Sequence, residues 1–378
     1  MVNFDIIQES EKIDKYYPQW EQLFASGGYE ASLSFEWTQA LLKTHLGKDR
    51  FFLIVLKDGA ETVGIVPLVI REVKKYGFSV SMVSPIAEQY NTSSDLLFKN
   101  SCPELVEAFV KALFALPARW DVFWITRFVD DNPLLGRLVD YLRKGSIQYD
   151  TRREYPSFYL SLDGTYPDYL QKRSANFRYN LKRKEKKLRG MGDIRFCKTE
   201  NSQSLDEVYK NLLYIEENSW KHNHGTAITS IKKQQELYKE LCESTARKKW
   251  LHLCFLFLNN EPIAYNLGLA IREKYYLLKL SYHEKYKQVS PSILLMAWAI
   301  EDLIRGGIKA YDFAGEPYQY ESQWTKEFRW HKSLTIYNNT TKAKLYSIYQ
   351  IVKKKLAGGI GDDVVYYNSR DLKPDSEA

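Results

Sequence analysis

Residues 252–273 read HLCFLFLNNEPIAYNLGLAIRE, and about 200 residues earlier the stretch 51–72 reads FFLIVLKDGAETVGIVPLVIRE. Each is an apolar run, a turn, and a second apolar run that ends in Ile-Arg-Glu. The turns, Asp58-Gly59 and Asn259-Asn260, use residues that tolerate the left-handed backbone of a tight hairpin. The pair predicts two β-hairpins. It indicates either an internal duplication or a chance similarity of two hairpins.

The segments that flank the two hairpins correspond as well, which favours duplication. Each hairpin is followed by a further strand, a helix and another strand. The predicted segments are 69–83, 103–115 and 120–128 in the first half, and 275–282, 292–305 and 309–314 in the second. This order predicts an α/β (α+β) fold of two tandem modules, each a mixed, mostly antiparallel sheet flanked by helices.

Breaks in the pattern suggest where the modules end. Gly145, Pro156 and Gly164 interrupt it between the two halves. We therefore predict a first module over 1–155, a second over 156–345, and a C-terminal helix with a loose tail over 346–378.

Composition excludes several classes of protein. The longest apolar run, Ile293–Ile300, is far shorter than the roughly 18 residues of a membrane span. The N-terminus shows no secretory pattern. The four cysteines lack the spacing of a zinc ribbon or a disulfide framework, which favours reduced thiols and a cytoplasmic location.

Positive charge is concentrated in one segment. From Gln171 to Lys198 there are 11 Lys and Arg against 2 Asp and Glu, a net +9, whereas the whole chain carries +7 and the remainder therefore −2. Residues 166–189, which overlap this segment, predict one helix, with Thr165 and Asp168 at capping-box spacing. This helix is either a solvated face or a surface for an anionic polymer, tRNA or a membrane.

Familiar nucleotide and hydrolase motifs are absent from the sequence, including the phosphate loop, GxGxxG, GxSxG and HExxH. His222 and His224 would share one face of a strand, but no third ligand stands nearby. A polar loop explains this pair as well as a metal does, and we predict no metal.

The stretch 275–324 contains the candidate site. Ser290 is the predicted N-cap and Pro291 the first residue of a helix, a position where free N–H groups suit a pyrophosphate, although an ordinary capped helix fits equally. Asp312 and Glu316 at the end of the next strand could accept a proton in acyl transfer, or serve as surface or capping residues. Tyr320, like Tyr318, could protonate a leaving thiolate.

The order of hairpin, strand, "SPS" loop, helix and YDFAGEPYQYESQW resembles the GCN5-related N-acetyltransferase (GNAT) superfamily. It is most similar to the tandem-GNAT branch with the CelD-like (BioF2-like) acetyltransferases and the FemABX aminoacyltransferases. The segment SANFRYNLKRKEKKLRGMGDIRF resembles the start of the second module of that branch, as do Trp220 and Ile263-Ala264.

The resemblance implies two GNAT-like modules, of which the second binds an acyl donor, acetyl-CoA or another acyl-CoA. The pantetheine arm would pair with the strand backbone at Leu280, Ser281 and Tyr282, and the pyrophosphate would meet Ser290, Pro291 and Ser292. Candidate acceptor contacts are Arg178, Trp220 and Trp324. Core packing or helix solvation are alternatives for these three.

The chain departs from the family pattern in three places. Ser292 replaces a glycine that the loop often has, and Glu321 follows Tyr320 where the family often has lysine. In the first module, Ser84-Pro85-Ile86 leads into a polar run rather than a helix, so that module is predicted to be degenerate.

Three functions follow from these observations. The first is acyl-CoA-dependent N- or O-acyl transfer to a cell-envelope sugar or its nucleotide-linked precursor, by direct attack of the acceptor on a thioester. The second is FemABX-like transfer from aminoacyl-tRNA. The third is a non-catalytic GNAT pair that binds an anionic polymer or membrane through residues 171–198. The sequence does not indicate an oligomeric state.

Overall fold

The computed structural model describes residues 1–27, 30–75, 77–87, 93–199 and 205–357. The described chain divides into two units, which differ from the predicted modules at their ends. Of the described residues, unit 1 contains Met1–Pro156 and 329–357, and unit 2 contains Ser157–Phe328. The range predicted for the second module, 156–345, therefore includes a strand that belongs to unit 1.

The helices and strands follow in chain order. The first half contains β1 (Val2–Ile7), α1 (Tyr17–Ser26), α2 (Phe35–His45), β2 (Arg50–Asp58), β3 (Glu61–Lys75), β4 (Phe78–Pro85), β5 (Leu97–Phe98), α3 (Pro103–Phe114), β6 (Val122–Val129) and α4 (Pro133–Lys144). The second half contains β7 (Tyr149–Ser161), α5 (Tyr166–Gln171), α6 (Ala175–Arg189), β8 (Ile194–Lys198), α7 (Leu205–Glu217), α8 (Trp220–Asn223), α9 (Lys232–Arg247), β9 (Leu251–Leu258), β10 (Glu261–Ile271), β11 (Lys274–Tyr282), α10 (Pro291–Arg305), β12 (Ala310–Asp312), β13 (Phe328–Tyr337) and α11 (Thr341–Ala357).

Both predicted hairpins are confirmed. β2 pairs with β3 and β9 pairs with β10, each antiparallel. Their turns use positive φ at Gly59 (58°) and at Asn259 and Asn260 (49° and 66°), as the turn residues indicated.

Unit 1 is built on a sheet with the order β1-β2-β3-β4-β6-β13, and β5 pairs with β3. All these pairs are antiparallel except β4 with β6, which is parallel. The main core lies between this sheet and the apolar faces of α3 and α4. The polar run that follows Ser84-Pro85-Ile86 falls partly outside the described residues.

Unit 2 is built on a sheet with the order β7-β12-β11-β10-β9-β8, in which only β11 with β12 is parallel. Alternate residues of β9 enter two different cores. Cys254, Leu256 and Leu258 face the core that contains α10, whereas Leu253, Phe255 and Phe257 pack with residues of α7 and α9. Helices therefore cover both faces, which explains the nearly continuous apolar run of this strand.

The predicted helix over 166–189 is wrong as a single element, because the chain forms α5 and α6. The capping box of Thr165 and Asp168 is present at the start of α5. Ser174 then caps a new helix, its Oγ accepting from the N–H of Phe177 at 3.1 Å. The Arg178 guanidinium donates to the carbonyls of Gln171 and Arg173, which satisfies carbonyl groups where α5 ends.

The chain after residue 357 lies outside the described residues, and with it the predicted tail. Within the described ranges no helix is long and apolar enough to cross a membrane.

Candidate acyl-transfer site in unit 2

The parallel strands β11 and β12 separate soon after they meet. Their pairing covers only Lys274–Tyr276 opposite Ala310–Asp312. β11 continues to Tyr282, and its partner along that length in the sheet is β10 alone. Within the described chain, the edge of β11 from Leu277 to Tyr282 therefore has no strand paired with it on the β12 side, and this edge is called the opening here.

The hydrogen bond after β11 shows which backbone groups border this opening. The N–H of His283 donates to the Ile263 carbonyl at 2.9 Å, so His283 points toward β10. Antiparallel pairing alternates along a strand, and no bulge interrupts the register between Leu280 and Tyr282. The backbone groups of Leu280 and Tyr282 therefore point away from β10, and those of Ser281 point toward it.

The start of α10 differs from the predicted cap. Ser290 stands at the N-cap position, but its backbone is left-handed (φ 48°) and its side chain makes no capping bond. Its carbonyl accepts from the N–H groups of Ile293 and Leu294. Because Pro291 has no N–H, Ser292 supplies the only backbone donor without a helical partner in this turn, so the turn offers little to a pyrophosphate.

A cavity of about 550 Å³ lies at the side of unit 2 where α6 packs against α10. Its walls come from the end of β7, from α5 and α6, from the first turn of α10, and from the segment that follows Tyr320. The lining residues are Ser161, Tyr169, Lys172, Arg173, Ser174, Asn176, Phe177, Asn180, Leu181, Lys184, Ile293, Ser322, Gln323, Thr325, Lys326 and Glu327.

Positive charge dominates this cavity. It is lined by the cations Lys172, Arg173, Lys184 and Lys326, and none of them forms an ion pair with a described residue. The single lining carboxylate, Glu327, accepts from the backbone N–H of Ser161 at 3.1 Å and from its hydroxyl. Burial lowers the pKa of Lys184. Uncompensated cations beside apolar walls suit a ligand that carries phosphate.

Trp324 supports the cavity from behind. Its side chain is fully buried, and its ring packs edge-on against Phe177 with centroids 5.0 Å apart. Its carbonyl accepts from the Tyr169 hydroxyl at 3.0 Å and from the Arg173 guanidinium. The residue suggested for stacking on an acceptor therefore lies in the core and holds Arg173 at the cavity wall.

Asp312 and Glu316 lie in different surroundings. Asp312 is fully buried at the end of β12, where its carboxylate lies 3.1 Å from Lys274 Nζ and accepts from the N–H of Ala314 at 2.9 Å. Glu316, on the following loop, is half-buried. Glu316 is therefore more exposed to solvent than Asp312. Of the two carboxylates, Glu316 is the better placed to accept a proton as a general base.

Tyr320, which is half-buried, and Glu321, which is buried, form an acidic pair that the sequence did not identify. Tyr320 stacks beside Tyr318, with ring centroids 6.0 Å apart, and hydrogen-bonds Glu321. Glu321 is 1% exposed, and its carboxyl accepts from the N–H of Tyr318. Burial raises the pKa of both groups well above their usual ranges, which favours the protonated form of each.

Lys221 is a second residue that sequence reasoning missed, although it directly follows Trp220. Its Nζ donates to the Leu280 carbonyl at 2.6 Å, on the side of β11 that borders the opening. The fully buried Glu216 carboxylate lies 3.9 Å away and accepts from the Tyr265 hydroxyl at 2.6 Å. Burial lowers the pKa of Lys221 to about 8.

The remaining candidates do not gather around the cavity. Arg178 hydrogen-bonds the carbonyls at the end of α5 and does not line the cavity. Trp220 is half-buried, with its ring 5.4 Å from that of His224. Among the described residues no group of His, Cys, Asp and Glu has the arrangement of a metal site, the His222 and His224 pair included.

Residues 175–322 match the family model described as an acetyltransferase (GNAT) domain. The match includes α6, the β9–β11 sheet, α10 and β12. No curated protein matches the chain.

Solved structures share the fold over most of the chain. FemX has a TM-score of 0.61 at 10% identity and covers 93% of this chain and 100% of its own. The C-terminal domain of a putative lysylphosphatidylglycerol synthetase from Agrobacterium fabrum has a TM-score of 0.53 at 10% identity, covering 90% and 96%. A tandem GNAT protein from the clavulanic acid pathway has a TM-score of 0.50 at 10% identity, covering 89% and 100%. The fold is thus that of tandem-GNAT and FemX-like proteins.

Proposed function

We propose that this protein is an acyltransferase whose donor is an acyl-CoA and whose acceptor is an amine, or a hydroxyl, on a cell-envelope sugar or its nucleotide-linked precursor. The observation that carries the proposal is the opening between β11 and β12 in the same unit as a cavity with four unpaired cations. The match of residues 175–322 to an acetyltransferase (GNAT) domain supports transfer of an acyl group as the reaction.

The donor would use both features. Its amide-bearing arm pairs with the outward backbone groups of Leu280 and Tyr282, while Ser281 continues to pair with β10. Its phosphates contact Lys184, Lys326 and their neighbours in the cavity, with one further bond from the Ser292 N–H. Side chains of α5 and α6 thereby supply the charge neutralisation that the first turn of α10 offers only weakly.

The chemistry needs no covalent enzyme intermediate. The acceptor nitrogen forms a bond to the acyl carbonyl carbon, the carbon–sulfur bond breaks, and the thiolate leaves. Glu316 takes the proton from the attacking amine. Tyr320, kept protonated by burial, gives a proton to the thiolate. The Lys221 ammonium at the same strand edge stabilises the negative charge that develops on the carbonyl oxygen.

Two observations support the acceptor class. Trp220 is half-buried and next to Lys221 in sequence, so its ring is available for packing against a sugar. One structural neighbour is described as the C-terminal domain of a putative lysylphosphatidylglycerol synthetase. That name describes a product in which a lysyl group is attached to a phospholipid.

One observation favours aminoacyl-tRNA as the donor instead. Outside the cavity, α6 exposes further cations to solvent, namely Lys182, Arg183, Lys186, Lys187 and Arg189. Only Arg189 has an ion-pair partner on the helix, Glu185 at 2.7 Å. A long cationic face suits a polyanion better than a single nucleotide.

Calorimetry with acetyl-CoA and CoA, beside gel shifts with aminoacyl-tRNA at low and moderate salt, tests the donor. We expect CoA to bind with micromolar affinity and to compete with acetyl-CoA. Binding of tRNA that weakens steeply with salt, without any CoA binding, would replace the acyl-CoA proposal by aminoacyl transfer. Folded protein that binds neither donor would refute both.

A further inference from the structure

Helix α11 of unit 1 turns its most apolar side chains toward solvent. Leu345, Ile348, Ile351 and Val352 are 53%, 59%, 53% and 47% exposed. Their spacing places them on one side of a helix of 17 residues. Among the described residues, the other large hydrophobic side chains that are exposed belong to methionine, tyrosine or phenylalanine. These four are the only exposed leucine, isoleucine and valine side chains in that set.

The opposite side of α11, which packs on unit 1, is less apolar. Ala343, Tyr346 and Ser347 are buried there. The Ser347 hydroxyl accepts from the Gln148 side chain at 2.6 Å, and the Gln350 carbonyl accepts from Arg152 at 3.3 Å. An ordinary surface helix buries its aliphatic residues and exposes its polar ones, so α11 has the reverse arrangement.

The charge of α11 indicates what covers this face. Residues 341–357 contain five lysines and no Asp or Glu. Lys342 and Lys344, within the described side chains, are exposed beside the aliphatic residues. An exposed aliphatic face with a lysine border is typical of a helix that lies in the headgroup region of an anionic bilayer. A second copy of the helix would bring five like charges against five.

We propose that α11 docks unit 1 onto an anionic lipid surface, with Leu345, Ile348, Ile351 and Val352 among the lipid chains and headgroups and Lys342 and Lys344 against the phosphates. This inference is independent of the proposed reaction, because α11 belongs to unit 1 and the candidate site to unit 2.

Sedimentation of the full chain with vesicles tests it. We expect binding to vesicles of phosphatidylglycerol and phosphatidylcholine, weaker binding as salt rises, and at least tenfold weaker binding to phosphatidylcholine alone. The double variant Leu345→Glu/Ile348→Glu should lose at least tenfold in affinity for the anionic vesicles. Leu345→Ser/Ile348→Ser, which leaves the charge unchanged, should lose most of that affinity as well. Both pairs are exposed, so circular dichroism should show an unchanged fold.

The matched control is Tyr179→Glu/Met191→Glu, which makes the same charge change at two exposed apolar residues in the cationic segment 171–198. This variant should retain vesicle binding. An equal loss in the control would overturn the proposal in favour of the cationic segment. So would vesicle binding that appears only in a chain ending at Ala357, which would show that residues 358–378 cover the face. A mass of twice 44.4 kDa that Leu345→Glu/Ile348→Glu abolishes, without vesicle binding, would show a second copy as the occupant.

Discussion

Lys221 Nζ lies 2.6 Å from the carbonyl oxygen of Leu280, on the edge of β11 where β12 has already separated. The contact places a cation at the opening between the strands. It also connects the segment around Trp220 to the strand predicted to hold the donor. Neither residue type nor spacing predicts this contact, because Lys221 and Leu280 are 59 residues apart in the sequence.

Replacing Lys221 by methionine should lower kcat of acyl transfer at least tenfold, while donor affinity changes less than threefold, because a cation at the strand edge acts on developing charge. The substitution also leaves the Glu216 carboxylate buried without a nearby cation, which costs a few kcal/mol of stability. Steady-state kinetics, calorimetry and urea unfolding measure the three effects.

Two controls separate catalysis from folding in this case. The double variant Lys221→Met/Glu216→Gln removes the unpaired charge and should recover stability without recovering kcat. Lys239→Met changes a half-exposed lysine whose surface ion pairs contribute little, and should leave both unchanged. Full activity in the double variant would contradict a role for the Lys221 cation.

The pH profile should report the same group. Burial lowers the pKa of Lys221 to about 8, so its cationic fraction falls as pH rises through 8. We expect kcat/KM to decline as pH rises above about 8, and we expect Lys221→Arg to move this decline to higher pH. Stability has the opposite sign: the native state binds fewer protons than the unfolded state between about 8 and 10.4, so the free energy of unfolding due to this group rises with pH there. If the alkaline decline of kcat/KM is the same in Lys221→Arg, the decline is due to the titration of another residue.

Removing two cavity charges should weaken donor binding. Lys184→Gln/Lys326→Gln takes two unpaired cations from the cavity, and each charge-assisted phosphate contact contributes roughly 1.5–3 kcal/mol. The Kd for CoA should therefore rise at least tenfold by calorimetry. Lys182→Gln/Lys187→Gln, on the exposed part of α6, is the matched control. If the control affects tRNA binding and the cavity variant affects nothing, the polyanion function is favoured.

Glu321→Gln should stabilise the protein at pH 8. Burial raises the pKa of Glu321 well above its usual range, so the native state keeps a proton that the unfolded chain releases above about 4.3. The contribution of this carboxyl to the free energy of unfolding is thus full below that pH and falls as pH rises toward the raised pKa. Glutamine keeps an acceptor for the Tyr318 N–H without this dependence, and we expect a gain of about 1 kcal/mol or more at pH 8.

Thermal melts of both proteins between pH 5 and 9 check this. The two curves should converge at the acid end and separate as pH rises. Parallel curves, or a variant that is less stable at every pH, would show that the carboxyl is ionised in the native state.

Gly268→Ala should destabilise unit 2 by about 1–3 kcal/mol through overpacking. A Cβ at Gly268 would overlap the ring of Tyr275, which is fully buried and hydrogen-bonded to Asn266. Gly136→Ala is the matched control, since nothing lies within 4 Å of its Cβ position and it sits inside α4. The control should gain up to about 1 kcal/mol from helix propensity. Similar melting temperatures for the two variants would contradict the close packing at Gly268.

Local sequence signals determined much of the fold. The turns at Asp58-Gly59 and Asn259-Asn260, the capping box at Thr165 and the proline at the first position of α10 each depend on residues a few positions apart, and the structure has all of them. The break between α5 and α6 was not predicted, because the apolar spacing of Phe177, Leu181 and Leu188 continues a helical pattern. The break depends on Ser174 and Arg178 satisfying backbone groups, a choice that periodicity does not express.

Tertiary structure alone decided the site. The concentration of charge in 171–198 predicted either a solvated helix face or a surface for an anion. Only folding brings Lys184 to the same cavity as Lys326 and leaves Arg178 outside it. The residue types of Trp324 and Asp312 suggested that both belong to the site, but packing placed both in the core. There Trp324 packs against Phe177, and Asp312 forms an ion pair with Lys274. Lys221 reaches Leu280 because α7, which directly precedes α8, packs against β11. The sequence by itself thus determined the two hairpins and the charge of one helix, since both are local properties. Which side chains meet was decided by long-range packing, which no local pattern records.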